Sequence, residues 1–546
     1  MASSTSLSGP RALERSRYVR AVEDALRAGN VMQAWRTADE AVGKGFDDPI
    51  LLSHAAYFHL DRGDAARARG LAEKARERAP RDVGALNVLG LSLAKLGDPE
   101  AAVKAFDAAI RVMPANATLY FNKGCVLEEM KKTVAARAAM ERAIALAPAH
   151  SEALAHMASL TTQRGAMDKA REYAQRALAR DPQQPVALLA VTVADVEDRQ
   201  FETARQRLTA ILRHPGLSPI GFALAHGLMG DALDGLGKPE EAFAAYTTSS
   251  SIFHALYRDK AVSKETGWER VARFAAYFRD VPRGTWRRPG AKDRFSPVGT
   301  HVFLVSFPRS GTTLLENVLG SNPDIETMEE IECLNETMET FIRPMGGIER
   351  LAAASEDELD EFRKAYWRRV KDTGLDLNLP VFIDKMPLYS VLLCAIAKLF
   401  PDARVLFALR DPRDVVLSCF RRRLALYELT SLDGAARYYD GVMTLVDVYR
   451  GVLDLPIYDL RYETVVSDFD AELKRVCAFL GIAYSDAMRD FTRRAEKRPI
   501  NTPSAAQVAR GLYTHGIEQW RAYENGLKPV LPLLEPWARR YGYAPA

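Results

Sequence analysis

Small apolar residues return at fixed offsets through the first half of the chain. Twelve positions before Pro80, Pro114, Pro148 and Pro182 stand Ala68, Ala102, Ala136 and Ala170; five before them stand Ala75, Ala109, Ala143 and Ala177. Twenty-four before them come Ala56, Gly90, Gly124 and Ala158, and eight before them Ala72, Phe106, Met140 and Ala174. The prolines are 34 residues apart. That register predicts two antiparallel helices per unit, brought close by small residues, with the proline ending the second helix by removing a donor. Units 49–82, 83–116, 117–150 and 151–184 carry the pattern in full. Units 15–48 (Ala34, Ala38, Ala41) and 185–218 (Ala204) are degenerate, and 223–256 recovers it with Gly230, Ala242 and Tyr246. Each unit leaves an apolar face open until a neighbour covers it, so the units must stack into an all-α solenoid.

Beyond Tyr257 the periodicity fades. One amphipathic segment, Trp268 to Phe278, precedes a stretch rich in Pro, Gly and Arg, Val281 to Gly299, whose Arg283, Arg287, Arg288, Lys292 and Arg294 read as a solvated connection. Unbroken apolar runs then appear: His301 to Phe307, a second ending at Lys385, and Ala403 to Leu409. Runs of this length read as buried parallel strands, which predicts an α/β domain. The expected organisation is a tail at 1–14, the repeat array at 15–256, a helical and basic linker at 257–299 and the α/β domain at 300–546. An insertion, 344–379, begins with a capping box at Ser355–Glu358 and carries one apolar helical face of Leu359, Phe362, Tyr366 and Val370. Its position makes it a lid candidate over the acceptor side. Trp520 to Tyr543 reads as a packed terminal helix.

Composition narrows the functional classes. At 546 residues, roughly three or four domains would be the prior, which the repeat register reduces to one solenoid and one α/β domain. Hydrophobic residues at 48% and charged residues at 27% suit a globular protein with ordinary cores. Five scattered cysteines without a CxxC pair exclude a disulfide framework and a cysteine zinc site. With 74 basic and 71 acidic side chains the net charge is +3, so no nucleic-acid surface is expected. No apolar run approaches the ~20 residues of a membrane span, and Met1 to Arg20 lacks a signal core, so a cytoplasmic setting is expected.

Candidate chemistry centres on Pro308-Arg-Ser-Gly-Thr-Thr313, a short loop between a strand and a helix. Backbone N–H groups and the positive helix end make such a loop an anion cradle. A nucleoside-triphosphatase loop would read GxxxxGK[ST]; here Gly311 holds the second glycine's place, but Thr312 stands where the lysine belongs and Ser306 replaces the first glycine. That lysine neutralises the β- and γ-phosphates together with Mg²⁺. Its loss suits a donor whose transferred group carries less charge. A sulfuryl group fits, and its transfer has no obligatory metal.

The 34-residue units resemble the tetratricopeptide repeat family over about residues 15–256. The loop Phe307–Thr313 resembles the 5′-phosphosulfate-binding loop of sulfotransferases, which use 3′-phosphoadenylyl sulfate. Arg410, with Ser418 eight residues on and Arg422 twelve on, resembles the family's 3′-phosphate site, where Arg supplies a permanently charged fork and Ser a neutral donor. The resemblance implies that Ser310, Gly311, Thr312 and Thr313 hold the 5′ side while Arg309 faces the sulfuryl group. Residues 303–333 and Leu480–Asp486 are most similar to the tyrosylprotein sulfotransferase branch, whose base is a glutamate; Glu330, 21 residues after Arg309, matches it. Glu329 and Glu332 are expected to raise its pKa by like-charge repulsion. The cytosolic branch uses histidine instead, but neither His301 nor His515 occupies a matching position. Lys385 matches the lysine that stabilises charge on the bridging oxygen. Tyr462 matches a nucleotide-contacting tyrosine, and 501–510, with Ser504 and Arg510, matches the segment that closes over the nucleotide.

Concave-face positions of the repeats include Ile50, Ser53, Tyr57 and Leu60, then Gly84, Asn87, Leu91 and Ala94; Thr118, Phe121, Cys125 and Glu128 follow, then Glu152, Ala155, Ser159 and Thr162. Without a Lys/Arg cluster among them, the expected guest is an extended, partly apolar peptide. The expectation is therefore a superhelical tetratricopeptide-repeat solenoid followed by an α/β domain of sulfotransferase fold with a P-loop-like phosphosulfate loop. Its expected activity is metal-independent transfer from 3′-phosphoadenylyl sulfate to a peptide or protein hydroxyl, tyrosine being one candidate. Two rivals stay open: a small-molecule, glycan or lipid acceptor with the repeats used for assembly, and a scaffold with a retired transferase domain. Oligomeric state is left open.

Overall fold

The computed structural model describes residues 9–545 apart from 164, 263–264, 287–290, 423–425, 498–510 and 513–515. The chain forms two compact units, Met1–Thr162 with Ala166–Ala194, and Gln163–Gly165 with Asp195–Ala546.

The first unit is a run of helical hairpins, among them Pro49–Asp61 with Ala65–Arg78, Val83–Lys95 with Pro99–Val112, and Ala117–Glu129 with Thr133–Leu146. Their packing follows volume compensation at two of the repeating positions. A Cβ added to Gly90 would lie 2.7 Å from the Phe106 ring, and one on Gly124 would lie 2.8 Å from the Met140 methyl group. Where the partner is Ala72 or Ala174, the facing position is Ala56 or Ala158, and all four are fully buried. Two further features share the 34-residue register. Asp48, Asp82 and Asn116 each accept a backbone N–H at a helix start, from Ile50 (3.0 Å), Ala85 (2.6 Å) and Thr118 (3.0 Å), and His150 accepts from Ala153 (3.4 Å). Gly29, Gly63, Gly97, Lys131 and Gly165 take left-handed φ between paired helices, Lys131 at +57°. The prolines act through their predecessors. Ala79, Met113 and Ala147 adopt φ near −131° to −137°, and each helix has already ended there.

The second unit opens with further helices, Phe201–Ile211, Pro219–Gly235 and Pro239–Val262, and then the α/β layer. Gly230 repeats the compensation, facing Tyr246 at 2.4 Å from an added Cβ. Within the stretch read as a linker, Gly267–Asp280 is a packed helix with a Thr266–Glu269 capping box and buried Val271, Phe274 and Phe278. Five parallel strands, β1 (Thr300–Ser306), β2 (Ile325–Glu329), β3 (Val381–Lys385), β4 (Arg404–Leu409) and β5 (Ile457–Arg461), stand in the order β2-β3-β1-β4-β5. Two apolar layers cover the sheet. Val302, Leu304, Leu315, Ile383 and Leu406 face one of them, while Phe303, Val305, Phe382, Val405 and Phe407 face the other.

The 344–379 insertion contributes to this core. Its helix Glu356–Asp372 is capped by Ser355, which accepts the Glu358 N–H at 3.2 Å, and it buries Leu359, Tyr366 and Val370 as the spacing predicts. Tyr366 donates to Asp384 Oδ2 at 2.9 Å, and Trp367 Nε1 donates to Asp293 at 2.6 Å. Arg363 donates to Asp360 (2.6 Å) and to the carbonyls of Leu399 (2.5 Å) and Lys398 (3.1 Å). A helix held by buried polar bonds of this kind is a structural layer, and the lid expectation for it is not supported.

Candidate active site

In an open parallel sheet, ligands bind beyond the carboxyl ends of the strands where strand order reverses. The loop after β1, Lys385 at the end of β3, Glu330 just after β2 and Arg410 just after β4 all stand there.

The loop is shaped by two left-handed residues, Arg309 (φ +71°) and Gly311 (φ +90°). Gly311 caps the helix Thr312–Leu319, whose first N–H groups have no intrahelical acceptor. A Cβ on Gly311 would lie 2.6 Å from the Tyr462 ring, so only glycine fits. Three bonds buttress the turn: Ser310 Oγ donates to Phe307 O (2.8 Å), Ser390 Oγ to Ser306 O (2.9 Å) and Cys419 Sγ to Pro308 O (3.5 Å). Ser310, Thr312 and Thr313 are buried.

Both expected halves of a nucleotide site meet at this loop. Arg309 Nε donates to Ser418 Oγ at 3.1 Å, and Arg410 donates to Arg309 O at 3.1 Å. Arg410 also bonds to Gly516 O and lies 5.2 Å over the Tyr462 ring, while its buried Nε has no hydrogen-bond partner among the described residues. Buried Tyr462 thus packs against both the glycine and the guanidinium. The helix Pro412–Arg421 carries Ser418, and Arg422 stands one residue beyond its end. Ser504 and Arg510 lie outside the described residues.

Glu330 and Lys385 meet directly. The Lys385 ammonium, whose side chain is 0% exposed, lies 2.9 Å from Glu330 Oε1 and 3.2 Å from Glu316 Oε2. Burial opposes its charge, yet the Glu316 and Glu330 carboxylates hold its pKa above the ordinary lysine value. Glu330 itself is 40% exposed. Its nearest charged partner is therefore a cation rather than the like charges expected from Glu329 and Glu332. On the other side of β3, Asp384 is fully buried, and burial raises its pKa to about 7. The Tyr366 hydroxyl links it to His301, 2.9 Å away, whose pKa burial lowers to about 3. His301 is thus a neutral core residue at the far end of β1.

Several residues of the site escaped the sequence reading. Glu316 is the lone charge in the apolar helix Thr312–Leu319, a signal in itself. Asp411 caps its helix at 2.9 Å from Arg413 N and also takes the Arg413 guanidinium at 2.7 Å. Asp414, its pKa raised to about 6 by burial against the opposing pull of Arg410, accepts the N–H groups of Glu518 and Trp520 at 2.8 Å. Among the described residues no cluster of three metal-ligating side chains occurs.

Comparison with known proteins agrees with this geometry. Residues 301–486 match the model of the Sulfotransferase family, and residues 55–119, 87–149 and 121–185 match the Tetratricopeptide repeat. The chain is similar to an uncharacterized protein of Aquifex aeolicus (strain VF5), 26% identical over 45% of this chain, but spans only 33% of that protein's length. It is similar to protein-tyrosine sulfotransferase 1 of Danio rerio, 26% identical over 45% of this chain and 72% of the relative. It also resembles omega-hydroxy-beta-dihydromenaquinone-9 sulfotransferase Stf3 of Mycobacterium bovis (strain ATCC BAA-935 / AF2122/97), 28% identical over 23% of this chain and 34% of the relative. Residues 301–486 are a sulfotransferase-family domain, and residues 55–185 a tetratricopeptide-repeat array.

Proposed function

We propose that this chain transfers a sulfuryl group from 3′-phosphoadenylyl sulfate to a hydroxyl of a peptide or protein, in a cytoplasmic setting and without a metal. The observation that carries the reading is the pairing of Glu330 with Lys385 at 2.9 Å, at the mouth of the same sheet edge that holds the Arg309–Gly311 loop. The donor's 5′ side fits the cradle of Ser310, Gly311, Thr312 and Thr313, and its 3′-phosphate fits Arg410, whose buried Nε has no partner among the described residues, together with Ser418 and Arg422. Tyr462 supports that pocket from below, with Ser504 and Arg510 assigned to its closure.

In this mechanism Glu330 takes the proton of the acceptor hydroxyl as its oxygen attacks sulfur in line. Lys385 and Arg309 stabilise the charge that develops on the bridging oxygen and the transferring group. Lys385 enters the step protonated, since Glu316 stays beside it when Glu330 turns to the acceptor.

The peptide acceptor is inferred from the repeats and from the likeness to proteins named protein-tyrosine sulfotransferases. Two concave positions of this chain's repeats are already linked, Asn87 Nδ2 donating to Tyr57 at 2.6 Å, and the neighbouring Asn122 Nδ2 donates to Asn87 at 2.9 Å. A second reading, a small-molecule, glycan or lipid hydroxyl, draws on the likeness to the omega-hydroxy-beta-dihydromenaquinone-9 sulfotransferase Stf3. Incubation with labelled donor and parallel panels of tyrosine peptides, phenols, glycans and lipid alcohols separates the two. Labelled peptide supports the first; label confined to the other panels overturns it.

A further inference from the structure

The hairpin of the unit 223–256 packs directly on the α/β domain. In the unit 223–256, the ninth and twelfth positions, which the repeat register assigns to the concave face, are Asp231 and Asp234. Asp234 accepts from Arg421 at 2.5 Å and also from the Tyr523 hydroxyl, while Tyr246 donates to Asp231 at 2.9 Å. The Arg421 guanidinium lies 5.3 Å from the Tyr246 ring and 5.4 Å from the Tyr523 ring. Its side chain is largely buried among these groups. Phe243 packs on Phe420 with ring centroids 5.3 Å apart, and Ser250 Oγ donates to Thr430 O at 2.5 Å. The groove face of this hairpin is thus filled by the transferase domain's own helix, Pro412–Arg421.

That helix carries Ser418 one turn before Arg421, so the two residues lie on adjoining faces. The segment that supplies Tyr523 also binds the other end of the site: Gly516 O takes Arg410, and the Glu518 and Trp520 N–H groups take Asp414. The polar partners of Arg421 are Asp234 and Gln519, so its link to the loop runs through its own helix.

We propose that Arg421 is a positioning residue of the donor site, locking its helix onto the last hairpin so that Ser418 and Arg410 are set to grip the donor's 3′-phosphate. The hairpin then belongs to the scaffold of the nucleotide site instead of serving as one more docking repeat. The inference rests on the sulfotransferase reading above and deepens it.

The test compares two probes on the full chain by titration calorimetry, adenosine 3′,5′-bisphosphate and adenosine 5′-monophosphate, which differ only in the 3′-phosphate. Wild-type protein is expected to prefer the bisphosphate by about a hundredfold, as charge-assisted contacts to a phosphate imply. Arg421→Gln is expected to cut that preference about tenfold while leaving 5′-monophosphate binding unchanged, with Arg421→Lys restoring most of it. Tyr523→Phe, a milder change to the same cluster, is expected to lower the preference about threefold even if Arg421→Gln does not fold. An unchanged preference in Tyr523→Phe and in folded Arg421→Gln, or equal weakening of both probes, overturns the positioning role. A wild type without any preference overturns the nucleotide reading itself, which keeps the two failures apart.

Discussion

The repeat unit and the transferase domain bury different kinds of residue. In the first, buried contacts recur every 34 residues and pair either two alanines or a glycine with one larger apolar partner. In the second, the sheet edge and its layers bury Lys385, Glu316, Asp384, Arg363 and Arg413, each held by a polar or charged partner that occurs once. Repetition spreads a packing rule over many small contacts, so one exception is tolerable. Unique buried charges concentrate the cost in single pairs, because a buried charge that loses its partner costs far more than the pair contributes.

The sharpest way to break this contrast is at the lysine. Lys385→Met is expected to destabilise the transferase domain by about 3–5 kcal/mol in urea unfolding, since Glu316 would stay buried without a cation. Adding Glu316→Gln should recover much of the loss. A single-variant effect below about 1 kcal/mol would show that the pair is not the burden described.

Asp384 tests the same idea through pH. Its folded pKa of about 7 lies above the unfolded carboxylate value, so it favours the folded state at low pH, and that contribution disappears as pH rises from about 4 to 7. Asp384→Asn should therefore gain on wild type by up to about 4 kcal/mol across that window and run parallel to it above pH 7. A stability difference independent of pH would contradict the assignment.

Effects in the repeat unit should be smaller. Gly90→Ala drives a methyl group into the Phe106 ring and should cost about 1–3 kcal/mol, more than Gly124→Ala, where flexible Met140 can move aside. Pairing Gly90→Ala with Phe106→Ala recreates the Ala–Ala contact of the neighbouring repeats and should recover part of the loss. Smallest of all, Lys131→Gly should stabilise by about 1 kcal/mol in thermal unfolding, because a left-handed φ of +57° disfavours any Cβ there.

The same contrast explains which features could be read from residues alone. The hairpins were readable because helix partners are near in sequence and their pattern returns four times. The caps at Asp48, Asp82, Asn116 and His150 share that register yet were passed over, since a helix start looks ordinary until its period is noticed. In the α/β domain, local motifs exposed the loop, Arg410, Lys385 and Glu330. Their meeting, and the part played by Glu316, depend on strand order that no local motif contains. The packing of the 344–379 insertion is hidden in the sequence for a related reason: its apolar face is evident there, but its anchors, Asp293 and Asp384, lie in other segments.

In the proposed mechanism Glu330 accepts the proton from the acceptor hydroxyl. Steady-state transfer of labelled sulfuryl by wild type and Glu330→Gln, with adenosine 3′,5′-bisphosphate affinity measured alongside, tests it most directly. Turnover should fall by about 10²-fold or more at unchanged nucleotide affinity; a variant that turns over as fast as wild type would remove Glu330 from the base role.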